Sequence, residues 1–158
     1  KSYHTRDLNG AIQLDSLLQI TGSAKKNNQK VVFTNGCFYI LHRGHVDYLH
    51  KAKQLWDILI IGLNSDASVK RLKGESRPVN CQQDRSFILS SLKDVDYVVI
   101  FDEDTPAELL SHLKPDVLVK GGDYKPDEVI GREYAKEVTI IDFVDGYSTT
   151  STINKMNS

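Results

Sequence analysis

Five short runs of Val, Ile and other apolar residues recur along the 158-residue chain: Val31 to Thr34, Ile58 to Leu63, Tyr97 to Phe101, Val117 to Val119 and Val138 to Phe143. Each is continuously apolar rather than alternating. That pattern suits a strand buried on both faces, as in a parallel sheet covered by helices on either side. The segments between them carry helical spacing. Val46, Leu49, Ala52 and Leu55 form one stripe, Phe87, Ile88, Ser91 and Leu92 a second, and Leu109, Leu110 and Leu113 a shorter third. A leading helix is expected over Leu14 to Gln29, weakened near Gly22. The alternation predicts an α/β fold: a doubly wound, mostly parallel five-stranded sheet with helices on both faces. A chain of this length builds one core, so residues 1–158 are read as a single domain.

Charge narrows the function classes. Lys plus Arg is 20 and Asp plus Glu is 21, and a net charge of -1 gives no global attraction to nucleic acid or to an anionic membrane. Phosphate affinity must therefore come from a local cluster. No apolar run approaches the length of a membrane span, and Lys1 to Gly10 lacks the apolar centre of a signal peptide, so a cytoplasmic location is expected. Cys37 and Cys81 lie in segments of different character and are read as free thiols.

Ligands of open α/β sheets bind beyond the carboxyl ends of the strands, near the point where strand order reverses. The segments that follow the predicted strands are small, polar and glycine-bearing. The first, Thr34-Asn35-Gly36-Cys37-Phe38-Tyr39-Ile40-Leu41-His42-Arg43-Gly44-His45, is the most informative. Two histidines three apart can share a face, and Gly44 between them lets a phosphate approach the backbone. A helix starting after Gly44 would aim its free N–H groups at the same place. His42 and His45 could then donate to an α-phosphate as charge builds on it. A structural or capping role for this pair is an equal reading of the pattern alone. A zinc site using His42, His45 and His50 lacks a Cys or acidic ligand at matching spacing, and no metal ligands are assigned.

Three further clusters frame that loop. Lys70, Arg71 and Lys73 before Gly74, with Arg77 and Arg85, read either as a solvated face or as clamps for a leaving pyrophosphate. Ser148, Thr149 and Thr150 after Gly146 read as the N-cap of a last helix and as donors to β- and γ-phosphates. In Lys120-Gly121-Gly122-Asp123 the glycines make a turn, and Lys120 and Asp123 would flank a ribose or phosphate. The stretch from Lys73 to Gln83 is the longest without a clear element, a length often associated with function.

Together these segments resemble the cytidylyltransferase-like nucleotidyltransferases that carry His-x-Gly-His. Within them the chain is most similar to the adenylyltransferase domain of bacterial ADP-heptose synthesis, from about Val31 to Met156. The first motif is shared widely, whereas Leu118-Val119-Lys120-Gly121-Gly122-Asp123-Tyr124-Lys125-Pro126 looks like the heptose type. The resemblance implies a Rossmann-like nucleotidyltransferase in which D-glycero-β-D-manno-heptose 1-phosphate attacks the α-phosphorus of ATP, with Mg²⁺, giving ADP-heptose and pyrophosphate for lipopolysaccharide or surface-layer glycan assembly. It also implies that His42 and His45 steady the α-phosphate and that Lys73 with Ser148, Thr149 and Thr150 holds the leaving phosphates. Thr34, Asn35, Gly36, Phe38, Asn64, Lys120 and Asp123 then surround the nucleotide. The implied partners are a small sugar phosphate and an upstream sugar kinase, which many bacteria fuse to this domain and which is expected here as a separate protein. A homodimer is allowed, and neither nucleic acid nor membrane is implied.

One residue breaks the pattern. Tyr39 stands where such proteins usually have Asp, which predicts altered metal or active-site organisation. Other readings of the scaffold remain. Glycerol-3-phosphate cytidylyltransferases carry Arg three residues before the Gly of the final motif, where this chain has Phe143. A class I aminoacyl-tRNA synthetase fragment would share the histidine signature, but 158 residues are too few for tRNA recognition. A nucleotide-binding regulator with impaired catalysis is the reading to which Tyr39 points.

Overall fold

The computed structural model describes residues 6–122 and 124–142. In chain order the elements are α1 (Leu14–Lys26), β1 (Val31–Gly36), α2 (Arg43–Lys53), β2 (Ile58–Asn64), α3 (Asp66–Lys73), α4 (Gln82–Ser90), β3 (Tyr97–Phe101), α5 (Ala107–Leu113), β4 (Val117–Gly121) and β5 (Glu137–Ile141). The five strands form one sheet in the order β3-β2-β1-β4-β5, and every pairing is parallel. The chain winds outward from β1 through β2 to β3, then returns to the other side of β1 for β4 and β5. Strand order therefore reverses between β1 and β4. Their register is set by Asp116, whose carboxylate accepts the Val31 amide at 2.8 Å while its own amide donates to the Val31 carbonyl at 3.0 Å.

The continuous apolar runs are explained by two separate cores. Val31, Phe33, Ile60, Val99, Phe101 and Leu118 point to one face, against Leu17 and Ala24 of α1 and Leu109, Leu110 and Leu113 of α5. Val32, Leu59, Ile61, Leu63, Val98, Val117 and Val119 point to the other, against Tyr48, Leu49 and Ala52 of α2 and Leu89 of α4. Side chains alternate along each strand, and both faces are apolar because both are covered. Among the described residues no helix is long and apolar enough to cross a membrane.

Two details depart from the sequence expectations, and a third was not read from the sequence. Helix α1 runs unbroken through Gly22, where the missing side chain faces open space and costs helix propensity only, and it ends at Lys26 because Asn28 turns to a φ of 57°. Helix α4 does not bury the stripe of Phe87 and Ile88, which are 56% and 41% exposed; it buries Arg85, Ser86 and Leu89. The Arg85 guanidinium is drawn in under the carboxyl ends of β1 and β2, and this turns the helix. Finally, the segment before α1 covers the edge of the sheet: Ala11 bridges to Val98, and the Ile12 amide donates to the Val98 carbonyl at 2.9 Å. Capping an open edge in this way blocks pairing with another chain.

Arg85 is 2% exposed, and its guanidinium donates to the carbonyls of Asn80, Cys37 and Asn64 and to the Asp66 carboxylate at 2.7 to 3.0 Å. Replacing it with Met leaves those carbonyls without a donor. Arg85→Met is expected to lower stability by about 2–4 kcal/mol in chemical denaturation, with Arg85→Lys restoring only part. A loss of less than about 0.5 kcal/mol, the range of ordinary surface changes, would contradict this role.

Candidate active site

The turn from β1 into α2 carries the unusual backbone. Phe38 adopts a φ of 44°, a left-handed conformation that bulky residues rarely take. It folds the Phe38 ring back over Gly36, where a Cβ would lie 2.8 Å from the ring edge. Only glycine fits beneath that ring. The ring then meets His45 edge-on, with centroids 5.2 Å apart.

Both histidines are fixed through their Nδ1 atoms. His42 is the N-cap of α2, in extended conformation, and its Nδ1 accepts the Gly44 amide at 3.1 Å. The His42 amide in turn donates to Nδ1 of His45 at 3.3 Å. This is a reciprocal cap of the kind usually made by Ser and Glu. The rings stack with centroids 3.9 Å apart and planes 21° apart. Because each Nδ1 accepts, each neutral imidazole carries its proton on Nε2. Burial, and then the neighbouring His42, push the His45 imidazole down to about 4; burial also lowers His42. Near neutral pH both imidazoles are uncharged and carry an Nε2–H, at the positive end of a helix.

A cleft of about 620 Å³ opens beside them, at the reversal of strand order. Asn35 to Tyr39 line it from the end of β1, Asn64 from the end of β2, Asp104 to Pro106 beyond β3, and Lys120 and Gly121 from β4. Lys73, at the last turn of α3, and Tyr124 stand on its rim. The Lys120 ammonium lies 5.1 Å from the centre of the Tyr124 ring. Burial pulls this ammonium below its usual range; the Cys37 sulfur opposes the shift and Lys73 adds to it. Burial likewise raises the Cys37 thiol, against the pull of Lys73, Arg85 and Lys120, so Cys37 stays protonated. Lys73 and Lys120 thus bring positive charge to a cleft whose described carboxylates are Asp104 and Glu128.

Of the residues singled out in the sequence, Asn35, Gly36, Phe38, His45, Asn64, Lys73 and Lys120 all line this cleft, and His42 stacks behind His45. Thr34 does not line it. It is fully buried, with its hydroxyl 2.7 Å from the Tyr48 hydroxyl, and the lining residue is Tyr48. Asp123, Ser148, Thr149 and Thr150 lie outside the described residues. The basic cluster divides. Arg85 is a buried tie rather than a clamp, and Arg71 is held by Asp104 at 2.9 Å and by the Asp102 carbonyl. His50 pairs with Asp94 at 3.0 Å, away from the other two histidines. Tyr48 was missed because one helical Tyr carries no local signal, and Arg85, read from the sequence as a surface residue or a clamp, is placed by the fold as a buried tie. Among the described residues no three His, Cys, Asp or Glu side chains converge as metal ligands.

Comparison with known proteins agrees with this geometry. The cytidylyltransferase-like family model matches residues 33–153. The bifunctional protein HldE of a Nitratiruptor species is 62% identical over 139 residues, and that of a Helicobacter pylori strain 58% identical over 145, covering 88% and 92% of this chain. The chain spans about three-tenths of the length of these relatives (30% and 31%). Among solved structures, the lipopolysaccharide core biosynthesis protein of Thermoplasma volcanium superposes with a TM-score of 0.60 at 28% identity, over 76% of this chain and 99% of that one. Pantoate-beta-alanine ligase of Francisella tularensis, at 20% identity and a TM-score of 0.61 over 92% of this chain and 72% of its own, shares the fold. The cleft at the strand reversal, the capped histidine pair and a sequence match running through both leave one assignment: the chain belongs to the cytidylyltransferase-like family.

Proposed function

We propose that this chain transfers AMP from ATP to a sugar 1-phosphate, D-glycero-β-D-manno-heptose 1-phosphate, forming ADP-heptose and pyrophosphate. The observation that carries the reading is the stacked pair of neutral histidines at the start of α2, with both Nδ1 atoms committed to backbone amides. The relatives named HldE, and the heptose-type stretch Leu118 to Pro126, support this acceptor. A sugar kinase would supply it. The reaction draws on the cytoplasmic ATP pool.

The chemistry needs little from the protein beyond position and charge. A phosphate monoester is largely dianionic at neutral pH, so it attacks without a general base. As charge gathers on the α-phosphate oxygens, the Nε2–H groups of His42 and His45 donate to them at the positive end of α2. Neutral donors suit this position, since they add stabilisation in the transition state without holding the ground-state triphosphate too firmly. Lys73 and Lys120 line the cleft and bring charge to the phosphates, and Lys73 with Ser148, Thr149 and Thr150 receives the pyrophosphate. Among the described residues the side chains around the cleft do not form a cage for Mg²⁺: Asp104 is engaged by Arg71, Glu128 is a single carboxylate, and Tyr39 offers none. Mg²⁺ enters this proposal as a counter-ion carried by the triphosphate, the usual arrangement where protein ligands are few.

A pyrophosphate-release screen of nucleoside triphosphates against sugar and polyol phosphates tests the assignment. ATP with the heptose 1-phosphate is expected to give the fastest turnover; faster release from CTP with glycerol 3-phosphate would replace adenylyl by cytidylyl transfer.

His45→Ala should keep the fold and most ATP affinity while lowering kcat by about 10²-fold to 10³-fold, the loss typical of one oxyanion donor. Calorimetry showing ATP binding abolished with kcat intact would make the residue a binding group instead.

The His45 ring should titrate by NMR with a midpoint of about 4, so it remains neutral at pH 6. A histidine whose folded value lies below the unfolded one binds fewer protons when folded. Its contribution to stability is therefore complete above about pH 6.5 and is lost as pH falls toward 4. A midpoint near the ordinary value in folded protein would remove the neutral-donor role.

A further inference from the structure

Arg77 packs over the ring of Tyr39, a residue of the cleft wall, and the transfer reaction as described uses neither. Arg77 sits in the loop between α3 and α4, and its guanidinium carbon lies 5.0 Å from the centre of the Tyr39 ring. The loop is tied on both sides of it. The Arg77 amide donates to the Gly74 carbonyl at 3.1 Å, Asn80 Nδ2 donates to the Tyr39 carbonyl at 3.4 Å, and the Asn80 carbonyl accepts from Arg85 Nε at 3.0 Å. Arg77 is half-buried and held in place, not swung out into solvent.

Its Nη1 is nonetheless buried and has no hydrogen-bond partner among the described residues. An unmatched buried donor on a cation is costly, and such groups mark places where a ligand supplies the acceptor. The partner that Arg77 does have leaves its charge intact. An aromatic face attracts a guanidinium without accepting its N–H groups, whereas a carboxylate at position 39 could engage two of them at once. Tyr39 itself lines the cleft, on whose rim Lys73 stands.

We propose that Arg77 is a phosphate-binding residue at this cleft, held by the Tyr39 ring so that its guanidinium donates to a non-bridging oxygen of a substrate phosphate. The phosphate belongs either to the nucleotide or to the acceptor; the contact chemistry is the same. This rests on the nucleotidyltransferase reading and adds to it a binding residue and, in Tyr39, a positioning residue. It also gives the departure from Asp at position 39 a consequence, since an Asp there would form an ion pair with Arg77 and compete with the substrate.

The test is calorimetric titration of the full chain with ATP and Mg²⁺ and, separately, with D-glycero-β-D-manno-heptose 1-phosphate, with thermal unfolding of each variant alongside. Arg77→Met should weaken one of the two ligands by about tenfold or more, as for loss of a hydrogen bond to a charged group. The ligand affected identifies the source of the phosphate. Arg77→Lys should recover part of the loss, and Tyr39→Phe should bind as wild type because the ring face remains. Tyr39→Asp should weaken the same ligand as Arg77→Met without lowering the unfolding temperature. The proposal is overturned if Arg77→Met binds both ligands normally, or if Tyr39→Asp leaves both affinities unchanged. Wild-type protein that binds ATP yet releases no pyrophosphate with any acceptor would overturn the transferase reading and leave the Arg77 contact standing; wild-type protein that binds neither ligand overturns both.

Discussion

The buried guanidinium of Arg85 is the interaction on which the arrangement of the cleft depends. Its bonds reach the end of β1 through Cys37, the end of β2 through Asn64, the first turn of α3 through Asp66 and the α3–α4 loop through Asn80. A parallel sheet leaves carbonyls at the carboxyl ends of its strands without a strand partner, and a functional cleft opens at just that place. One planar cation with five donors can satisfy several such carbonyls at once, where a lysine could not hold the same fixed fork. Arg85 thus keeps backbone polar groups paired beneath a cavity that must itself stay open. It does so at the expense of helix amphipathicity, since α4 turns Phe87 and Ile88 to solvent to bring Arg85 inside.

On that foundation the site separates two kinds of electrostatic work. The lysines supply full charges, softened by burial at Lys120 and exposed at Lys73. The histidines supply directed dipoles, kept uncharged by burial and by backbone amides that occupy both Nδ1 atoms. Histidine at an N-cap is an unusual choice, because Ser, Thr, Asp and Asn do that work with a smaller side chain. Here the cap does more than end a helix. It fixes a tautomer, and through the stack and the Phe38 edge it fixes the ring orientation as well. Preorganisation of this kind is what phosphoryl and nucleotidyl transfer ask of a protein, since little covalent chemistry is left for side chains to perform.

Among the described residues two carboxylates line the cleft, Asp104 and Glu128. Asp104 is paired with Arg71, and the position where a family carboxylate is expected holds Tyr39 under Arg77. A site that receives several phosphate groups gains from this, because each uncompensated carboxylate would repel the substrate. A single substitution at the cleft edge can therefore alter local charge while the histidine Nδ1 atoms keep their bonds to the backbone amides of His42 and Gly44.

How much of this was legible from the chain follows from what each feature depends on. The five strands and their parallel sense were readable because continuous Val and Ile runs such as Ile58 to Leu63 are tolerated only where both faces are covered, although the edge strand β5 is only half-buried. The histidine loop and Lys120 were readable because the carboxyl ends of such strands are where ligands bind, and His42, Gly44, His45 and Gly121 are adjacent in sequence to those ends. Composition and spacing thus determined the fold class and most of one wall of the cleft. What the sequence could not decide was anything set by contacts between distant segments. Thr34 was expected at the nucleotide, yet it is turned into the core by Tyr48, fourteen residues later. Arg71, Arg77 and Arg85 look alike in a basic stretch, and only the fold makes the first a surface ion pair, the second a partner of Tyr39 and the third a buried tie. A guanidinium's role depends on which carbonyls, carboxylates or rings the chain brings to it, and those partners lie up to 48 residues away.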